Sequence, residues 1–187
     1  MDGRSKSTRL REFFHSMARQ SFAELGVDDE AVVGYVATVM TEFARADRLY
    51  AVSTENRRAV DRAERILLES RGMPNNAPCL TREMRKYVGD YTLFMSGLFR
   101  THVEKRGALA YYLEQGRRAY WEVSELDLSL YRAGFLLFQQ LSKNFEYYSG
   151  ALAYMREAYF APTSGASSFK RFLKQIEGWI SSGLSDN

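Results

Sequence analysis

The 187 residues are enough for one domain or two small ones, and 45% hydrophobic against 26% charged side chains is the balance of a folded globule, not a disordered chain. A net charge of +3 is too slight to demand a nucleic-acid partner. One cysteine, Cys79, excludes an internal disulfide and a zinc site built on several thiolates, and two histidines, His15 and His102, leave little material for a metal centre.

Composition points to helix. There are 19 Leu and 19 Ala against 10 Val and 3 Ile. Ala and Leu lose little on entering a helix, whereas β-branched side chains are restricted there and fit strands better. No segment alternates apolar and polar residues between turn signals. The expectation is an all-α fold, a single compact bundle of about seven or eight helices.

The first predicted helix runs from about Ser7 to Leu25, with Leu10, Phe13, Phe14, Met17, Ala18, Phe22 and Leu25 on one stripe. Its polar start carries no apolar core of a secretory signal. Gly26 stops it, and Asp28 or Asp29 caps the next helix. That second helix carries Val32, Tyr35, Val36, Val39, Met40 and Phe43 and fades near Ala46 to Tyr50. A third, capped at Ser53 or Thr54, reaches Ser70 with a thin stripe (Val60, Ala63, Ile66, Leu67) and reads as outermost. Arg71 to Leu80 holds two of the three prolines and forms a loop, a possible hinge between halves.

A fourth predicted helix, capped by Thr81, turns Met84, Tyr87, Val88, Tyr91, Phe94, Met95 and Leu98 inward. Its apolar run, Tyr87 to Phe99, contains Asp90 and is too short to span a bilayer. A break is expected at Thr101 to Gly107. A fifth helix then carries Leu109, Tyr112, Leu113, Gly116, Tyr120 and Val123. A sixth begins near Asp127 or Ser129 and points Leu130, Tyr131, Gly134, Phe135, Phe138, Leu141 and Phe145 inward. Gly150 opens a short seventh helix to Phe160. Ala161 to Ser168 reads as a linker before a last amphipathic helix with Phe169, Phe172, Leu173, Ile176, Trp179 and Ile180.

Seventeen of the 26 aromatic residues lie between Tyr87 and Phe160. Tyrosine is the telling part, because a buried hydroxyl wants a partner, which favours an interface or a pocket over a dry core. Asp90 is the only formal charge between Lys86 and Arg100. An unpaired buried carboxylate is costly. Either Gly89 breaks or kinks the helix and Asp90 caps the resumed turn, or Asp90 pairs with an arginine such as Arg117 or Arg118, or it orients a ligand or acts as an acid or base. Gly116 and Gly134 fall on inward faces, where glycine costs about 1 kcal/mol against alanine; close helix crossing or room for a flat ligand would compensate.

Catalytic motifs do not assemble. Glu12 and His15 match one Glu-x-x-His unit of a di-metal bundle, but lie on the flank of their stripe with no second unit. His102 sits in a predicted break, open to a haem-ligand or an exposed reading. Cys79 has neither a base nor an oxyanion site near it in sequence. Acidic residues lie among or beside most of the basic clusters at Arg4–Arg11, Arg82–Lys86 and Arg117–Arg118, which match no nucleic-acid signature.

The expectation is therefore a non-catalytic cytoplasmic protein that works through a protein partner or another copy of itself. The alternative is a small apolar ligand such as a lipid or a tetrapyrrole (haem included) near Asp90, Tyr87, Tyr91, Phe94, Tyr112, Gly116, Tyr120 and Gly134. No metal site, no catalytic residue and no transmembrane segment is expected.

Overall fold

The computed structural model describes residues 3–50 and 82–160, with side chains at 8–44 and 82–160. Among these residues the chain forms seven helices and no strand, so the fold is all-α. The helices are α1 (Gly3–Glu24), α2 (Glu30–Tyr50), α3 (Arg82–Leu98), α4 (Arg100–Lys105), α5 (Leu109–Ser129), α6 (Phe135–Lys143) and α7 (Phe145–Tyr159). None of them is long and apolar enough to cross a membrane. The helix expected over 53–70, the loop 71–80, the linker 161–168 and the helix expected after it lie outside the described residues. Two compact units are present: Met1–Arg48 with Tyr154–Asn187, and Leu49–Ala153.

In the first unit the predicted stripe of α1 narrows to a four-residue repeat. Leu10, Phe14, Ala18 and Phe22 are buried, while Phe13, Met17 and Leu25 are half-buried. The ring of Phe13 meets Phe160 edge-on at 6.4 Å. Asp29 is the cap of α2: its Oδ1 accepts from the backbone N–H groups of Ala31 and Val32, at 2.9 and 3.2 Å. Beyond that cap α2 buries Val32, Val33, Val36, Ala37, Val39, Met40, Phe43 and Ala44, a wider face than the sequence stripe.

The second unit is organised by α3 and α5, which run antiparallel and pack along most of their length. Arg82 meets Asp127, Arg85 meets Glu122, Gly89 meets Tyr120, and Thr92 meets Gly116. As one number climbs, the other falls. Alpha-6 packs on α5. The approach of α7 to α3 is close: the Ser149 hydroxyl donates to Ser96 Oγ at 2.9 Å, and a Cβ on Gly97 would stand 2.6 Å from Leu152 Cβ.

Three helix ends share one hydrogen-bond pattern. After α1, Val27 N–H donates to Phe22 C=O and Gly26 N–H to Ala23 C=O; after α4, Ala108 donates to Val103 and Gly107 to Glu104; after α5, Arg132 donates to Asp127 and Tyr131 to Leu128. Each is a six-to-one bond enclosing a five-to-two bond, the Schellman ending, whose penultimate residue must be left-handed. That residue is Gly26 at φ +78° and Gly107 at φ +64°, but Tyr131 at φ +53°.

This third ending corrects the expected boundaries. A sixth helix does not begin at Asp127 or Ser129; α5 continues through Ser129, turns over 130–134, and α6 starts at Phe135. Leu130 and Tyr131 are not inward residues but exposed ones, Tyr131 at 98%. The turn contains no glycine at its left-handed position, so the sequence carries no stop signal there. Likewise, the expected break at 101–107 contains α4, and Phe145 opens α7 instead of ending the helix before it. Gly150 lies inside α7, and Gly89 inside an unbroken α3.

Candidate functional site

The polar interior of the second unit lies where α3, α5 and α6 meet. On α3, Asp90 is 3% exposed. Tyr120 of α5 donates its hydroxyl to Asp90 Oδ1 at 2.8 Å, and Lys86, one turn earlier on α3, donates to Oδ2 at 2.6 Å. Of the arginines expected as its partners, Arg118 bonds Glu122 at 3.1 Å, and Glu122 also pairs with Arg85. Nor does Asp90 cap a resumed turn, since α3 does not break. Gly89 is what lets Tyr120 reach this carboxylate: a Cβ there would stand 2.6 Å from the Tyr120 ring.

A second buried carboxylate is Asp127, near which the sequence places the start of a helix. It is fully buried. The guanidinium of Arg82 grips it with two bonds, Nε to Oδ1 at 2.5 Å and Nη2 to Oδ2 at 2.7 Å, and Arg132 stands 3.8 Å from Oδ1. The bidentate bond to Asp127 holds Arg82 more firmly protonated than an ordinary arginine, against the opposing effect of its partial burial. Arg82 also lies over the Phe138 ring, 5.4 Å from its centroid, and Phe138 packs on Tyr120 at 5.8 Å. One continuous set of contacts thus joins both carboxylates.

The signal for Asp127 was present in the sequence. Gly116, Tyr120, Val123 and Asp127 follow a 4-3-4 spacing, so Asp127 extends the inward stripe of α5 by one step.

The other expected site residues divide into separate contacts. The Tyr91 and Tyr112 rings lie 6.1 Å apart, and Phe94 packs against Phe99 at 5.5 Å. Tyr87 is half-buried on α3. The backbone of Gly116 is covered by the Phe145 ring and by Thr92, whose Oγ1 would lie 2.5 Å from a Cβ at that position. Gly134 faces Asp127 Oδ2, 3.3 Å from where its Cβ would be. The space that would admit a flat ligand at Gly116 is therefore filled by a ring of the chain itself.

Outside this interior, His15 contacts Glu30 at 3.1 Å, Glu12 is exposed, and His102 is exposed on α4. Cys79 lies outside the described residues. Among the described residues no group of three or more His, Cys, Asp or Glu side chains is placed to hold a metal ion.

Chemically, each buried carboxylate has both oxygens engaged by a donor of the chain. Such an arrangement fixes helix register and orients Tyr120 and Phe138. The outward face of the same unit is different. Trp121, Leu128, Leu130, Tyr131, Leu136 and Tyr147 are all exposed, and four of the six fall between Leu128 and Leu136.

No protein-family model, no curated protein and no solved structure matches this chain.

Proposed function

We propose that this protein acts by contact with another protein chain, and that the corner between α5 and α6 carries the contact. The observation behind this reading is Tyr131. A bulky residue at positive φ is strained by roughly 1–2 kcal/mol, and the same ending is made by glycine after α1 and after α4. Yet among the described residues the Tyr131 ring touches almost nothing, being 98% exposed. Backbone strain in exchange for a side chain aimed at solvent has no return within the fold. It has one if the ring inserts into a partner, where tyrosine is among the residues that carry most binding energy. Leu128, Leu130 and Leu136, each at least half exposed, would give that ring an apolar surround.

The engaged state of Asp90 and Asp127 supports the same reading. A general acid or base needs an oxygen open to substrate, and theirs are already bonded within the chain.

The test is the assembly mass of the purified full chain by sedimentation and native mass spectrometry, compared with that of Tyr131→Gly. Glycine keeps the turn and removes the ring. The proposal expects an assembly, of two copies or with a co-purified protein, that the variant loses while keeping its helical spectrum. An assembly that survives the substitution unchanged would contradict it.

A further inference from the structure

The second unit also carries an open groove of about 540 Å³ between α5 and the end of α6, lined by Glu114, Arg117, Arg118, Trp121, Ser142 and Lys143. Glu114, Arg117, Arg118 and Trp121 share one face of α5 through steps of three and four residues. The Ser142 hydroxyl donates to the Arg117 carbonyl at 2.8 Å. This bond ties the last turn of α6 to the middle of α5 and brings Lys143 to the side of the groove where Arg117 begins. Arg118 is engaged by Glu122. Among the described residues, neither Arg117 nor Lys143 has a carboxylate partner. Beside them the indole of Trp121 is 44% exposed.

Two uncommitted cations beside an open aromatic face form a specific chemical pattern. A phosphomonoester carries close to two negative charges at neutral pH, which two cations match. An exposed indole offers a stacking surface for a flat base. The volume lies within the range of small-molecule sites, roughly 300–1,000 Å³, and is too small for a folded partner. We infer that this groove binds a nucleoside monophosphate, with the phosphate between Arg117 and Lys143 and the base against Trp121. Arg117, as a planar fork, takes two phosphate oxygens, and Lys143 adds a point charge. Glu114 lowers the positive potential of the groove, so removing its charge tightens the complex. This inference is independent of the contact proposed for the Tyr131 corner.

Calorimetric titration of the full chain with AMP at low salt tests it, with adenosine and inorganic phosphate as separate probes. AMP is expected to bind with a Kd below about 1 mM, and each half-molecule at least about tenfold more weakly. Arg117→Ala and Lys143→Ala should each weaken AMP binding at least about tenfold, the loss of one cation's charge-assisted contact with the phosphate. Trp121→Ala should do the same while Trp121→Phe retains binding, and Glu114→Gln should bind more tightly. All these side chains are at the surface, and circular dichroism of each variant establishes that the helices persist. Absence of AMP binding, or AMP affinity indifferent to Arg117, Lys143 and Trp121, would overturn the assignment. So would binding of a single-stranded oligonucleotide or an acidic peptide by a chain that ignores AMP.

Discussion

Tyr120 and Asp90 are thirty residues apart in sequence and 2.8 Å apart in the interior, a phenol of α5 donating to a carboxylate of α3. The bond is buried, and the acceptor's other oxygen is held by Lys86. Tyr120→Phe keeps the ring and its packing on Phe138 and Phe145 but leaves Asp90 Oδ1 without this donor. The expected loss is about 1–3 kcal/mol of unfolding free energy, the cost of a buried acceptor left short. Urea denaturation followed by circular dichroism measures it. A loss below a few tenths of a kcal/mol would show that water reaches Asp90.

Gly116 is a packing position, and its test is steric. A Cβ there collides with the Phe145 ring and with Thr92. Gly116→Ala should destabilise by about 1–3 kcal/mol despite alanine's better helix propensity, because overpacking outweighs that gain of about 1 kcal/mol. Phe145→Leu in the same chain should recover part of the loss, since residues in contact do not act additively. Thermal melts of the four-member cycle read the coupling. If Gly116→Ala stabilises the chain, the backbone there is open after all.

Stability and contact should separate at Tyr131. Glycine at this position removes the left-handed strain, so Tyr131→Gly is expected to stabilise the fold by about 1 kcal/mol, a rise of a few degrees in melting temperature. Glycine's extra freedom in the unfolded chain takes back part of that gain. Differential scanning calorimetry of the isolated chain measures the net. A fall in melting temperature would mean that the Tyr131 ring contributes to the fold.

Much of this architecture was legible beforehand. The stripes of α1, α2 and α3 are simple repeats of three and four, and glycine and aspartate punctuate them at Gly26 and Asp29 where those residues are chemically suited. Legibility failed between Asp127 and Phe145. There the helix ends on a tyrosine in a glycine's conformation, so no residue type announces the turn. One misplaced boundary then puts a helix start near Asp127 and turns Leu130 and Tyr131 into core residues. Asp90 was legible as a buried charge needing a partner, but the partner was not. Lys86 sits four residues away and Tyr120 thirty, and only the antiparallel register of α3 and α5 selects Tyr120 over the nearby Arg117 and Arg118.

Acid and base should each loosen the end of α7 in the first unit. Glu24 accepts from Tyr159 at 2.6 Å and from Tyr154 at 2.8 Å. The Tyr159 and Tyr154 bonds hold Glu24 below its ordinary value of 4.5. A depressed carboxylate contributes above its unfolded value, and the contribution is lost as pH falls through the folded one, so loosening sets in below about pH 4.5. The same bond pushes the Tyr159 phenol from 10.0 up to about 12. A raised phenol contributes fully below pH 10 and loses its effect as pH climbs toward 12. Ultraviolet titration should show tyrosine ionising late, and Glu24→Gln should move that late step back toward 10. A titration curve unchanged by Glu24→Gln would remove the coupling.

The claim on which the functional reading turns is that the corner at Tyr131 meets another protein. A photoreactive phenylalanine placed at position 131, and in a parallel sample at the exposed position Glu125 of α5, reads this directly after irradiation in the native host. Position 131 is predicted to give a discrete cross-linked band of fixed stoichiometry, and position 125 none. No band from 131, or equal bands from both positions, would contradict the account.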